Sequence, residues 1–424
     1  PVNADTLFMA ASNTKGMSTL LLATLADEGK LRWDQPVTEV FPSFRLGDAA
    51  VTRQVLVKHL VCACTGLPRQ DFEWFFEFGN ATPETTFQML ATSMPTSGFG
   101  ELYQYNNLMA AAAGYIGGAL AYPGMALGPA YDKAMQQRIF DPLGMRNTTF
   151  DMRRALHGNH ASPHAFDIDN RPVRISDDLN YSMLAFRPAA GAWTSAHDLI
   201  RYVQLEANKG LLPDGKRLVS AENLLVRRRP GVASGEDSHY GMGLESMTSS
   251  GVPVLHHGGG LFGFKSDFYL LPEAGVGAVL LTNADDGQEL LTPFLRRLLE
   301  LVYDGKPQAA DDVRIAATRT RAERAQERTR LTLPPEPAQV AKLARHYTND
   351  RLGELTVLRS GDTTIFDFGE WQSPVASHHN DDGTVSFITT TAAFEGLPFA
   401  AGSQDGKPTL AVRDGQHRYL FISQ

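Results

Sequence analysis

The sequence predicts a mixed α/β (α+β) fold followed by a small all-β domain, on three observations. Apolar residues recur at helical spacing early in the chain, beginning with Met17, Leu20, Leu21 and Leu25. Strand-like runs come later, "VPVLHHGGG", "FKSDFYLLPE" and "VGAVLLTNAD", the last two joined by the hairpin turn "EAGVG". Beyond a charged stretch, short alternating runs separated by Gly and Asp fill the C-terminal end. The 424 residues are 43% hydrophobic and 20% charged, enough apolar side chain for two or three compact units and far from a disordered composition. A formal net charge of −8 gives no global electrostatic case for a nucleic-acid partner.

"TLFMAAS" reads as a short extended lead-in, and "NTKGMSTLLLATLADEGKL" as a helix stopped at Gly29. "DQPVTEVFPSF" is loop-like, and "QVLVKHLVCACTGLP" reads as a helix running into a Gly-Leu-Pro stop. Cys62 and Cys64, one residue apart, read as small buried hydrophobes, a spacing that disfavours a mutual bridge. The next helix runs from Asn107 to about Leu120. Its low-polarity run stops at Pro123, short of the ~20 apolar residues a membrane span needs. "SAHDLIRYVQLEANKG" is a helix capped by Ser195 and stopped by Gly210, and "ELLTPFLRRLLELVYDG" is an amphipathic helix. The expected units are residues 1–305, a solvated linker helix over 306–336 with Arg319 and Glu323 at i,i+4 spacing, and an all-β module over 337–424. With no initiator Met or signal peptide visible in the sequence, the compartment stays open.

S-x-x-K occurs once, as Ser12-Asn13-Thr14-Lys15 at the start of the first helix. Ser12 at a helix N-terminus sits near unpaired backbone N–H groups, and Lys15 lies on the same helical face. A serine hydroxyl needs a neighbouring base, a role that a desolvated lysine fills. Tyr105-Asn106-Asn107 stands at a loop-to-helix junction, where a tyrosine can relay a proton and the Asn107 amide can hold the lysine and a substrate carbonyl. The third feature is "VLHHGGGLFGFKS". His256 and His257 fail as a metal pair because neighbours on a strand face opposite ways, and His157, His160 and His164 bring no acidic partner spacing. Gly258 to Gly260 precede no Lys-Ser/Thr, which excludes a phosphate loop. The features fit a strand edge lining an active site, where glycines admit substrate backbone and an N–H can face an oxyanion.

In this order, S-x-x-K, Y-x-N and H-x-G resemble the three-part signature of the serine β-lactamase/penicillin-binding-protein-like superfamily. Within it, the chain resembles the class C β-lactamase-related serine hydrolases, the S12 peptidase group. "VLVKHLVCACTGLP", "RIFDPLGMRNTTF" and "RPAAGAWTSAHDLIRY" extend the likeness over roughly residues 5–303. The resemblance implies an antiparallel sheet flanked by helices plus an all-helical region, with a lipocalin-like C-terminal barrel. It implies Ser12 as the acylated nucleophile, Lys15 as its base, Tyr105 as acid/base partner and Asn107 as the residue positioning Lys15 and substrate. It also implies a catalytic role for His257, an oxyanion hole from the N–H groups of Ser12 and Gly260, substrate contact at Gly258 and Gly259, and no metal or cofactor.

Two departures matter. His257-Gly258-Gly259 stands where β-lactamases and carboxypeptidases usually carry Lys-Thr/Ser-Gly, so carboxylate recognition by a permanent cation is weakened. That moves the expected substrate toward small amides, peptides with D-stereochemistry, or esters. A β-lactamase or penicillin-binding D,D-peptidase is the alternative, and a non-catalytic scaffold the second. The family also places a helix and two strands before "DTLF", so the expectation includes a fragment or a second chain completing the sheet.

Overall fold

The computed structural model describes residues 1–424, which pack as two units. The first comprises Pro1–Arg69, Thr82–Ser162 and Met183–Ala309. Its frame is a six-stranded antiparallel sheet running in space from Val276–Thr282 through Phe264–Leu271, Val252–Leu261, Glu245–Ser249 and Ser238–Tyr240 to Val232–Gly235. The strand "FKSDFYLL" is buried at every position but Lys265, because helices cover both faces. Neighbouring residues show the two sides. Phe268 meets Tyr202 of the helix Ala196–Ala207, and Tyr269 stacks on Phe294 of the helix Gln288–Val302.

Two helical expectations hold closely. "NTKGMSTLLLATLAD" forms the helix Asn13–Asp27, and the small-residue run forms Asn107–Ala121. The small residues have a packing reason: a Cβ on Gly114 would collide with Pro188, and one on Gly118 with the backbone of Tyr131. No helix is long and apolar enough to cross a membrane.

Two expectations require correction. "QVLVKHLV" is not one helix but a helix Ala49–Gln54 and a separate 3-10 turn Val57–Val61, broken between them at extended Val55 and Leu56. Cys62 and Cys64 are bridged rather than free. Ala63 between them takes φ +52°, a left-handed turn that brings the two Cα atoms to 5.1 Å, within disulfide reach.

The second unit comprises Ala310–Gln424 together with two earlier segments, Gln70–Ala81 and Pro163–Ser182. Eight strands from His346–Asn349 to His417–Ser423 close into an antiparallel barrel. Closure leaves no strand edge open, and alternate residues fill the interior. The filling is aromatic: Phe366 packs on Phe387 and Phe399, and Trp371 stacks on Phe394 at 3.9 Å. The short helix Phe72–Phe76 adds to this core, with Phe76 edge-on to both Phe368 and Trp371.

Candidate active site

Ser12 sits at the N-terminal cap of its helix, directly after Ala11, whose φ of +46° is unusual for a residue with a Cβ. Hydrogen bonds hold that turn in place. Thr14 Oγ1 donates to the Ala11 carbonyl at 2.7 Å, Ser266 Oγ to the Ala10 carbonyl at 2.7 Å, and Asn13 Nδ2 to Ser266 Oγ at 2.8 Å. Backbone strain of this kind, fixed by its surroundings, is common next to reactive groups.

Lys15 is 1% exposed. Its Nζ donates to Asn107 Oδ1 at 2.7 Å and to the Ala189 carbonyl at 2.9 Å, and lies 3.0 Å from Ser12 Oγ. Asn107 is the first residue of its helix, behind Asn106, whose side chain caps the Met109 N–H and donates to the Pro68 carbonyl. Tyr105 precedes that cap. Lys15 Nζ stands 4.6 Å above its ring centroid, and the Arg69 guanidinium lies 5.6 Å from it.

On the strand Val252–Leu261 the two histidines face opposite ways. His256 stacks on Tyr269 and lies 3.3 Å from Asp267. Burial alone would lower its pKa, but Asp267 and then Glu245 hold it above the ordinary value. His257 turns to the Lys15 side and is 4% exposed. Burial first, then the Lys15 charge, pushes its pKa down to about 3, so the ring is neutral around pH 7. Its Nδ1 lies 2.7 Å from the Gly258 carbonyl, and its Nε2 lies 2.8 Å from the Tyr240 hydroxyl.

The three glycines differ in what they require. A Cβ on Gly259 would overlap Ser266 Oγ and lie 2.6 Å from the Ala10 carbonyl, whereas one on Gly260 meets only the flexible Lys265 chain at 3.4 Å. Gly259 therefore lets the strand approach the turn that carries Ser12. Gly259→Ala is expected to cost about 1–3 kcal/mol and roughly a hundredfold in turnover by pushing Ala10 and Ala11 aside. Gly260→Ala should stay within about 0.5 kcal/mol. Urea melts and turnover of the pair check this, and equal behaviour would refute it.

The structure thus brings Ser12, Lys15, Tyr105, Asn107 and His257 to one place. No three His, Cys, Asp or Glu side chains converge as a metal-holding group. Sequence reasoning missed Ala189, which contributes only a carbonyl, and Tyr240. The latter reaches His257 through the pairing of Ser238–Tyr240 with Glu245–Ser249 and of that strand with Val252–Leu261, which no local pattern reveals.

Comparison with known proteins bears on the whole first unit. The beta-lactamase family model matches residues 1–300, well over half of the chain. The chain is 28% identical over 306 residues to penicillin-binding protein 4 of Amycolatopsis lactamdurans, covering 70% of this chain and 77% of that protein. It is 23% identical over 298 residues to an unguisins hydrolase of Aspergillus campestris, covering 66% of this chain and 53% of that relative, so it spans about half the relative's length. Among solved structures, the octameric penicillin-binding protein homologue from Pyrococcus abyssi shares the fold at TM-score 0.61 and 18% identity, over 100% of this chain and 90% of the other. A D-stereospecific amidohydrolase from Streptomyces sp. shares it at TM-score 0.56 and 21% identity, over 72% of this chain and 88% of the other. The chain belongs to the beta-lactamase family of serine hydrolases.

Proposed function

We propose that the protein forms an acyl-enzyme on Ser12 and hydrolyses small amides or peptides, D-configured ones included, or small esters. The observation that carries this reading is the buried Lys15 amine 3.0 Å from Ser12 Oγ, held from behind by Asn107 Oδ1 and the Ala189 carbonyl. An unprotonated amine has two N–H donors and one lone pair. Asn107 and Ala189 take the donors, which leaves the lone pair facing the Ser12 hydroxyl as its base. As Ser12 Oγ attacks the carbonyl carbon, its proton passes to Lys15. Lys15 passes that proton on to the leaving group with Tyr105, packed against it, as acid/base partner; water then attacks the acyl carbon, gives one proton back to Ser12 Oγ by the same pair, and releases the acyl group as its acid.

The ladder supports an oxyanion hole at Ser12 and Gly260. A two-residue turn closes Leu261 on Phe264, and Gly260 pairs with Lys265. Hydrogen-bonded and non-hydrogen-bonded pairs alternate along such a ladder, so the Gly258 and Gly260 N–H groups turn away from Phe264–Leu271. The neighbouring strand on that side pairs no further than His256, which leaves the Gly260 N–H open to a ligand.

A fluorophosphonate probe tests the reading: it should label the protein, and Ser12→Ala should abolish the label. No labelling, or labelling that survives Ser12→Ala, overturns it. A β-lactamase or penicillin-binding D,D-peptidase is the second reading, favoured by the penicillin-binding name of the Amycolatopsis relative. The neutral His257 weighs against it, because no cation stands at that position to hold a carboxylate. Turnover of p-nitrophenyl esters, D- and L-aminoacyl anilides and a chromogenic cephalosporin separates the two.

A further inference from the structure

Both nitrogens of His257 are occupied within the protein. A carbonyl oxygen can only accept, so the 2.7 Å contact with Gly258 requires the proton on Nδ1. In the neutral ring Nε2 is then an acceptor, and the Tyr240 hydroxyl, 2.8 Å away, donates to it. Tyr240 is 2% exposed, so it does not reach a substrate itself. With its own proton committed to His257, the Tyr240 oxygen can only accept from its other neighbour. That neighbour is Tyr105, whose ring packs edge-on at 5.9 Å. The hydrogen bonds therefore run in one direction, from Tyr240 to His257 to the Gly258 carbonyl, and leave the Tyr240 oxygen an acceptor on the side of Tyr105.

We propose that Tyr240 and His257 form a positioning dyad that presents the Tyr240 oxygen to the Tyr105 hydroxyl as an acceptor, and so orients Tyr105 for its acid/base role beside Lys15. The dyad rests on the acyl-enzyme reading of Ser12 and specifies how the third motif serves it. His257 acts through Tyr105 and makes no substrate contact. A lysine at this position would act the other way: an ammonium has three donors and no acceptor, so it would donate to Tyr240 and reverse the chain. The aromatic cage is continuous around the pair. Tyr103 packs on both tyrosines, and the Cys62–Cys64 bridge lies in the same cluster. The groups facing the His257 ring are Lys15 from the Ser12 helix, Tyr105 ahead of the Asn107 helix and Tyr240 from its own strand, while His256, on the opposite face, acts on it only by charge.

Nitrogen-15 NMR of histidine-labelled protein tests the dyad without reference to turnover, with His257→Gln assigning the resonance. Nδ1 should carry the proton, Nε2 should be bare and hydrogen-bonded from pH 5 to 8, and Tyr240→Phe should move the Nε2 signal to its unbonded position. An Nε2–H tautomer, or an Nε2 signal unmoved in Tyr240→Phe, overturns the proposal. Kinetics supply the second arm. Tyr240→Phe should lower kcat about tenfold or more with KM changed less than about twofold. His257→Gln, which keeps an acceptor for Tyr240, should retain more activity than His257→Lys. A His257→Lys variant at least as active as His257→Gln would mean that His257 serves as a substrate contact, and would overturn the dyad. Fluorophosphonate labelling of Ser12 is read in parallel: its absence from the unmutated protein defeats the acyl-enzyme reading, while the NMR result still decides the hydrogen-bond direction.

Discussion

Replacing Lys15 by Ala is expected to lower kcat/KM about a thousandfold while the protein remains folded. The size follows from what the amine does. Without it the Ser12 hydroxyl loses the amine 3.0 Å away that would take its proton. The substitution also removes the donor to Asn107 Oδ1 and to the Ala189 carbonyl, two acceptors inside the protein. Removing that donor costs about 1–3 kcal/mol at each acceptor. Lys15→Met, which fills the space but accepts no proton, should lose as much activity as Lys15→Ala. Circular dichroism and the rate of fluorophosphonate labelling make the comparison. Near-normal labelling in either variant would exclude Lys15 as the base.

The candidate catalytic group was legible to the extent that its spacing is local. Ser12 and Lys15 meet because residues i and i+3 share a helical face, and Asn107 begins a helix whose lead-in carries Tyr105. His256 and His257 part company because a strand alternates. What stayed hidden depends on the fold around these pieces. Tyr240 arrives by two strand pairings, and Ala189 by a backbone carbonyl that any residue would have supplied. The Cys62–Cys64 bridge depends on one left-handed residue, Ala63, with no side-chain signal for that conformation. "DFEWFFEF" shows the same limit on a larger scale. Its aromatic residues announce burial, but only the closed barrel reveals that Phe368 and Trp371 are the partners of Phe76.

Glu206→Gln is expected to destabilise the protein by about 3–5 kcal/mol, because it leaves a buried guanidinium without its counter-charge. Glu206 and Arg227 are both 0% exposed, with Arg227 Nη1 at 2.9 Å from Glu206 Oε1 and Arg228 Nη2 at 2.7 Å from Oε2. Arg227 reaches further, donating to the Gly16 carbonyl at 2.8 Å, to Thr19 Oγ1 at 3.1 Å and to the Tyr202 hydroxyl at 3.2 Å. Gly16 follows Lys15 in the chain, so this network fixes the far side of the helix that carries the proposed nucleophile and base. Burial alone would raise the Glu206 pKa, but the two guanidiniums outweigh it and hold the carboxyl below its usual range. A depressed folded-state pKa adds stability above the unfolded value of about 4.3, and that stability is lost as pH falls through the folded value. The gap between Glu206→Gln and the unmutated protein in urea melts should therefore be full at pH 7 and narrow below about pH 4. A gap under about 1 kcal/mol, or one independent of pH, would contradict the assignment. The double variant Glu206→Leu with Arg227→Met separates stability from function. Apolar side chains of similar size recover much of the lost stability. They restore no donor to the Gly16 carbonyl, so turnover on Ser12 should stay low although the fold has recovered.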